Sequence, residues 1–282
     1  DAQSNVGTVR NVGVELTLGH SYHIGNFNYS VNGNVSFIKN KLIHLNGGQV
    51  VWGDRVLSDE GLPLFEFWGY KYLGVYKSKE EADAALPGYA RDGETNPYGA
   101  GDAIFEDVDG DGKISDTGDK QKLGNNFPKV SYGLNISADW KGIDLQMFFQ
   151  GVAGNKIYNA VRERTESNGL TSQLSTVMRD VWTEDNPNGT IPNPKGANNM
   201  LNSSRFLESG SYLRLKNVQL GYTFPKKLLN GCGISNFRVY VQASNLFTIT
   251  DYTGYDPEVG SGVDYGNYPQ SRSFLIGCNI TF

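Results

Sequence analysis

The chain has 282 residues, with 25 lysines and arginines against 30 aspartates and glutamates, for a formal net charge of −5. That acidic balance excludes a broad basic nucleic-acid surface, and no run of about eighteen apolar residues supplies a transmembrane helix. Neither fact excludes a membrane barrel, whose lumen-facing polar residues dilute its hydropathy; 35 glycines, 16 tyrosines and 14 phenylalanines suit strands, tight turns and aromatic girdles.

Period-two alternation recurs along the chain. Val12, Val14, Leu16 and Leu18 alternate with Gly13, Glu15, Thr17 and Gly19, which predicts a first strand. A short turn over 23–26 leads to a second, with Phe27, Tyr29, Val31, Val35 and Phe37 against Asn28, Ser30, Asn32, Asn34 and Ser36. A long segment follows, roughly 40 to 128, in which 78–86 predicts a short helix opened by Ser78, with Glu81 completing a capping box. The third strand sets Val130, Tyr132, Leu134, Ile136, Ala138 and Trp140 against Ser131, Gly133, Asn135, Ser137 and Asp139. It turns at Lys141-Gly142 into a fourth, where Ile143, Leu145, Met147 and Phe149 oppose Asp144, Gln146 and Gln150. A second long segment, 154 to 210, holds an expected helix over 174–182. The fifth strand carries Val218, Leu220, Tyr222 and Phe224; the sixth carries Phe237, Val239, Val241 and Ala243 against Arg238, Tyr240, Gln242 and Ser244. A third long segment, 248 to 270, precedes the seventh, apolar at every second residue from Phe274 to the final Phe282.

Short connections on one side and long ones on the other match an outer-membrane barrel with its short side in the periplasm. The polar faces, rich in Asn, Ser, Gln and Asp, suit a wet lumen. The fold class is therefore all-β: the C-terminal portion of a large antiparallel transmembrane β-barrel with long extracellular loops, set in outer-membrane lipid. Tyr22 and Trp140, beside short turns on the apolar side, and the terminal Phe282 form the expected membrane girdle. Seven strands are too few to close a wide pore and odd in number, so residues 1–282 are expected to be one part of a longer barrel. The different-class alternative is a secreted, calcium-stiffened, carbohydrate-binding β-sandwich, whose strands also alternate. Cys232 falls in a turn and Cys278 on the apolar side of the last strand, and the two are read as unpaired thiols.

Specific strings carry a family resemblance. Gly7-Thr8-Val9-Arg10-Asn11-Val12-Gly13-Val14-Glu15-Leu16 resembles the G-x-V-x-N-x-G-x-E-L opening of a barrel segment in SusC/RagA-type TonB-dependent transporters. In order along the chain follow Gly101 to Asp107, Asp109 to Ile114, Tyr132 to Asn135, Phe148 to Gly151, Gly210 to Asn217, Leu220 to Tyr222, Ser244 to Phe247, Gly254 to Glu258 and Tyr268-Pro269. The resemblance implies a barrel of about 22 strands with an N-terminal plug, a SusD-like surface lipoprotein as lid, and uptake of glycans or peptides energised by the TonB complex. The plug and the TonB-contacting segment would belong to the N-terminal portion of the same transporter, outside this chain. No cofactor is required by such a protein, and no enzyme activity is expected.

Three groups of residues are candidates for a role. Asp107, Asp109 and Asp111 stand at loop positions one, three and five of a calcium-type loop, with Lys113 offering a carbonyl and Ser115 a hydroxyl. Position twelve is Gly118 where a carboxylate is expected, and Asp119 or Asp116 is the substitute; the role would be structural. Aromatic faces suit sugars and peptides alike, and Trp52, Trp68 and Tyr70 in the first long segment, with Tyr255, Tyr265 and Tyr268 in the last, are candidates for substrate or lid contact. Catalysis finds no support: His20, His23 and His44 lack zinc spacing, and nothing sets a working distance between Glu66, Asp83 and Asp144.

Overall fold

The computed structural model describes residues 7–85, 88–91, 94–96, 98–167, 173–196, 198–231 and 233–282. Seven long strands form one sheet: β1 (Gly7–Ile24), β2 (Phe27–Leu45), β3 (Val130–Trp140), β4 (Ile143–Ala153), β5 (Tyr212–Thr223), β6 (Asn236–Thr250) and β7 (Ser273–Thr281). They lie side by side in chain order, every pair antiparallel. Gly25, at φ 61°, makes the β1–β2 turn, and Lys141 and Gly142, at φ 47° and 89°, make the β3–β4 turn. Such left-handed conformations match the twist of the strands they join. The third connection on this end carries a helical turn, α3 (Lys226–Leu229).

Register aligns like with like. Ile136 stands between Val31 and Met147, Ser137 between Ser30 and Gln146, and Asp139 between Asn28 and Asp144. One face is therefore apolar and the other polar, as a single lipid boundary and a wet lumen require. The apolar face is open: Val14 is 70 % exposed, Phe274 75 % and Ile276 84 %. Among the described residues no second sheet packs on it, which removes the defining layer of the β-sandwich alternative. On that face Tyr132 lies across Gly151, where a Cβ would stand 2.4 Å from the ring, and donates its hydroxyl to the Tyr212 carbonyl at 2.9 Å. The ring covers the gap that the glycine leaves in the sheet.

Strands β2 and β6 run past the alternation that predicts them. In β6 the register shifts opposite Leu215 and Asn217 while Asn245 adopts φ 52°. This irregularity breaks the two-residue period without ending the strand.

The buried hydrophobic clusters lie not in the wall but in the layer of long segments at its other end. Tyr70, Tyr76, Ala82, Ala103, Phe105 and Ile114 form one cluster, and Phe67, Tyr158, Ala160 and Phe206 another. Short strands knit these segments together: residues 120–125, 66–70, 56–58 and 50–52 form one small sheet, and 207–209, 156–159 and 263–264 another. The Tyr70 amide donates to the Asn202 carbonyl (3.0 Å) and the Tyr158 amide to the Gly262 carbonyl (2.9 Å), so each long segment is hydrogen-bonded to the next.

Helix α1 (Lys79–Ala85) forms as expected, with Ser78 Oγ accepting from the Glu81 amide. Glu81 reaches back to the Lys77 amide, one residue before the cap. The helix expected over 174–182 is a 3₁₀ turn, Thr176–Asp180, capped by Ser175; β-branched Thr176, Val177 and Val181 give an α-helix little support. A further helix, α2 (Ala160–Thr165), is capped by Asn159, whose side chain accepts from the Arg162 amide. Cys278 is exposed on β7, and Cys232 lies outside the described residues.

Candidate functional site

The polar face of the wall is cross-linked from strand to strand. Arg238 on β6 donates to both carboxylate oxygens of Asp144 on β4 (2.9 and 2.5 Å) and to Gln219 between them on β5 (2.8 Å). Gln219 in turn donates to Gln242 (3.1 Å), and Asn28 to Asp139 (2.6 Å). Fork-shaped guanidinium contacts of this kind are strong and geometrically specific. They account for Asp144, while Glu66 accepts from the Gly124 amide and Asn125, and Asp83 pairs with Lys79. The three carboxylates have separate structural partners.

Two charged clamps tie the long segments to the wall and to each other. Arg214, at the loop end of β5 and almost fully buried, donates to Asp256 (2.8 Å), Glu258 (3.0 Å) and Thr248 (2.7 Å). Burial alone would raise the Asp256 pKa, but Arg214 and the amides of Gln270 and Glu258 outweigh it and hold the carboxyl below its ordinary range. The second clamp joins Arg205 to Glu166 (2.7 Å), Glu166 to Arg162 (2.7 Å) and Arg162 to Glu208 (3.0 Å). Glu208 also accepts from the Thr253 amide at 2.7 Å. Burial lowers the Arg205 pKa despite Glu166 beside it; for Arg162 the two glutamates overcome burial and raise it.

Tyr72, Arg162, Glu166, Asp180, Arg205 and Thr253 line a cavity of about 670 Å³ beside this clamp. Arg162 and Arg205 balance Glu166 and Asp180, so its wall offers hydrogen-bond donors and acceptors with little net charge. Such a wall suits a neutral, hydrogen-bonding ligand. Sequence reading missed both clamps, because apart from the i,i+4 pair Arg162–Glu166 their ion pairs join residues 39 to 46 apart, which no local spacing marks.

In the Asp/Gly-rich loop the carboxylates of Asp107, Asp109 and Asp119 converge, with ligand atoms within 4.8 Å of one another. Asp119 is fully buried and accepts from the amides of Val108 (2.7 Å) and Ser115 (2.6 Å). Asp107 accepts from Gly110 and Gly112. Asp111 lies outside the converging trio and accepts from the Lys113 amide, while Ser115 Oγ accepts from the Gly118 amide. Gly118 is needed for space: a Cβ there would stand 2.1 Å from Asp109 Oδ2. Asp116 accepts from the Tyr70 hydroxyl instead.

That bond corrects one expectation about the aromatics. Tyr70 is 1 % exposed, packed at 5.4 Å against the Phe105 ring, and presents no face to a ligand. Its short strand is covered on both faces, with Phe67 buried as well, a setting that a count of aromatics cannot give. Trp68 is half-buried, whereas Trp52, Tyr255, Tyr265 and Tyr268 are exposed, Tyr268 by 91 %. Arg164 stacks over Tyr265 at 5.5 Å. At the opposite end, Tyr22, Trp140 and Phe282 are exposed on the apolar face, with Lys141 Nζ 5.0 Å from the centre of the Trp140 ring.

No family model matches the chain. It is 33 % identical to TonB-dependent receptor P3 of Formosa agariphila over 304 residues, covering 99 % of this chain and 29 % of that protein. TonB-dependent receptor SusC of Bacteroides thetaiotaomicron is 25 % identical, over 99 % of this chain and 27 % of its own length. The solved RagAB peptide transporter superposes with a TM-score of 0.81 at 26 % identity, covering 98 % of this chain and 29 % of that one. The chain thus spans under a third of the relatives it matches. Strand order, the paired faces and these likenesses together show that this chain belongs to the SusC/RagA-type TonB-dependent receptors and forms part of their β-barrel.

Proposed function

We propose that the chain supplies seven wall strands and the interlocked extracellular loops of an outer-membrane nutrient importer. It would be the C-terminal part of a TonB-energised barrel, with the plug and the remaining strands in the N-terminal portion of the same protein. The observation that carries this reading is the seven-stranded sheet itself: polar on one face, open and apolar on the other, with its long segments gathered at one end. Its likeness to the RagAB peptide transporter and to SusC supports a transporter rather than an enzyme.

Glycans or peptides would enter beneath a SusD-like surface lipoprotein. Trp52, Trp68, Tyr255, Tyr265 and Tyr268 are the aromatic faces available to the ligand or the lid, and the charge-balanced cavity beside Arg205 supplies hydrogen bonds. In the Asp/Gly loop the convergence of Asp107, Asp109 and Asp119 fits a structural calcium, with Lys113 and Ser115 as further oxygen donors. Calcium there would neutralise the clustered carboxylates and pin the first long segment.

Membrane fractionation with mass spectrometry of co-purifying chains tests the reading. Recovery in the outer membrane, joined to N-terminal barrel sequence and accompanied by a lipoprotein, is expected. Recovery as a monodisperse protein in buffer without detergent would overturn it.

A further inference from the structure

The outward face of the wall carries cations at its loop end. On β1 and β2 the outward residues run Leu18, Leu16, Val14 and Val12 on one strand and Val31, Val35 and Phe37 on the other. The same alternation then places Arg10, Lys39 and Lys41 on that face, with Arg10 directly opposite Lys41 and Lys39 opposite Val12. The other face is identified by Asn40, which is 8 % exposed and bonded to Asn11 and to the Leu64 amide of the loop layer. Ten residues separate Phe27 near the turn from Phe37. At about 3.3 Å per residue and a tilt of about 40° they climb roughly 25 Å, the height of a barrel's apolar band. Lys39 and Lys41 therefore stand just above the band.

Like charges directly opposite on neighbouring strands are destabilising. Yet among the described residues no carboxylate pairs with Arg10, Lys39 or Lys41. Beside β2 at this level lies a recess of about 400 Å³, lined by Lys39, Lys41 and Lys129 together with Gly61, Pro63 and Phe127. Cations above an open apolar surface complement one kind of molecule, an amphiphile with an anionic head and acyl tails.

We propose that Arg10, Lys39 and Lys41 form a binding rim for a phosphorylated lipid of the outer leaflet. The phosphate would lie across the Arg10–Lys41 pair and relieve its repulsion, while the acyl chains cover Val12, Val14, Val35 and Phe37. The rim rests on the membrane-barrel reading and adds a lipid partner to it.

The test uses the full transporter, reconstituted in phosphatidylcholine vesicles with or without phosphorylated lipid A. After re-isolation in detergent, the lipid A retained per protein is counted by native mass spectrometry. Removing each cation next to an anionic surface should weaken retention about fivefold, so Arg10→Gln, Lys39→Gln and Lys41→Gln together should lower it on the order of a hundredfold. Lys226→Gln with Lys227→Gln, at the turn end, should change nothing. Equal retention by the triple variant, or equal retention of dephosphorylated lipid A, would overturn the rim. Complete displacement of the lipid by millimolar inorganic phosphate would make it a small-anion site, and loss of a co-purifying protein in place of lipid would make it a protein contact; either result overturns it. Failure of wild type and variants alike to enter vesicles would instead sink the barrel reading, and the rim with it.

Discussion

Replacing Arg214 by methionine should release the last long segment from the wall while leaving the wall intact. Arg214 keeps only 3 % of its side chain exposed and bonds Asp256, itself 9 % exposed, and the partly exposed Glu258. Removing one partner of a buried pair leaves an uncompensated charge and costs about 3–5 kcal/mol. Lys216 still reaches Glu258 at 2.6 Å, so the lower end, about 3 kcal/mol, is expected. At 1.4 kcal/mol per factor of ten, that is roughly a hundredfold rise in the open population of residues 251–272. Hydrogen exchange reads it directly at the Glu258 and Gln270 amides, both bonded to Asp256. Coupling Arg214→Met with Asp256→Asn should recover much of the loss, because the stranded charge is then gone. Unchanged exchange in 251–272, or a loss spread evenly over β3 and β4, would refute the clamp.

The depressed Asp256 pKa fixes the sign of the pH response. Its contribution is full above the unfolded value of about 3.9 and is lost as pH falls through the lower folded value, so a spin label on Ser261→Cys should stay immobile from pH 7 to 5 and loosen only below about pH 4. Loosening near neutrality would contradict that. Chelation of calcium should speed proteolysis within 107–119, and calcium at a hundred times its dissociation constant should restore about 2.7 kcal/mol of local stability. Indifference to chelator, or the same response in Asp119→Asn, would leave the loop without a cation. Tyr70→Ala should destabilise the loop layer by about 3–5 kcal/mol, as deletion of a buried ring does, whereas Tyr268→Ala should stay within about 0.5 kcal/mol and weaken ligand or lid binding. A thermal melt of each variant beside a binding assay separates the two roles, and matching losses of stability would refute the distinction.

The wall was legible in the sequence because each strand has two solvents. Lipid on one side and water on the other force alternation, and Val130 to Trp140 obeys it at every position. Legibility failed where that constraint lapses. Past Phe37 the outer face of β2 turns to Lys39 and Lys41, and past Ser244 the irregularity at Asn245 shifts the period of β6 while apolar Phe247 and Ile249 stay outward, so alternation is lost although the hydrogen-bond ladder continues. The loop layer was opaque for a different reason. Its core joins residues far apart, such as Tyr70 with Phe105 and Tyr158 with Phe206, so an aromatic such as Tyr70 carries no local mark of being buried. The Asp/Gly loop was legible in part: spacing located Asp107 and Asp109 and offered Asp119 or Asp116 in place of Gly118, and Asp119 is the one that converges, whereas Asp111, expected at position five, stands outside the trio.

One face of this sheet meets lipid and the other a wet lumen. Single cysteines placed along β3, from Leu134→Cys through Ser137→Cys in the membrane-embedded transporter, test it most directly. Labelling by a water-soluble maleimide should alternate, with Asn135→Cys and Ser137→Cys reactive and Leu134→Cys and Ile136→Cys protected. Equal reactivity at all four positions would contradict the account.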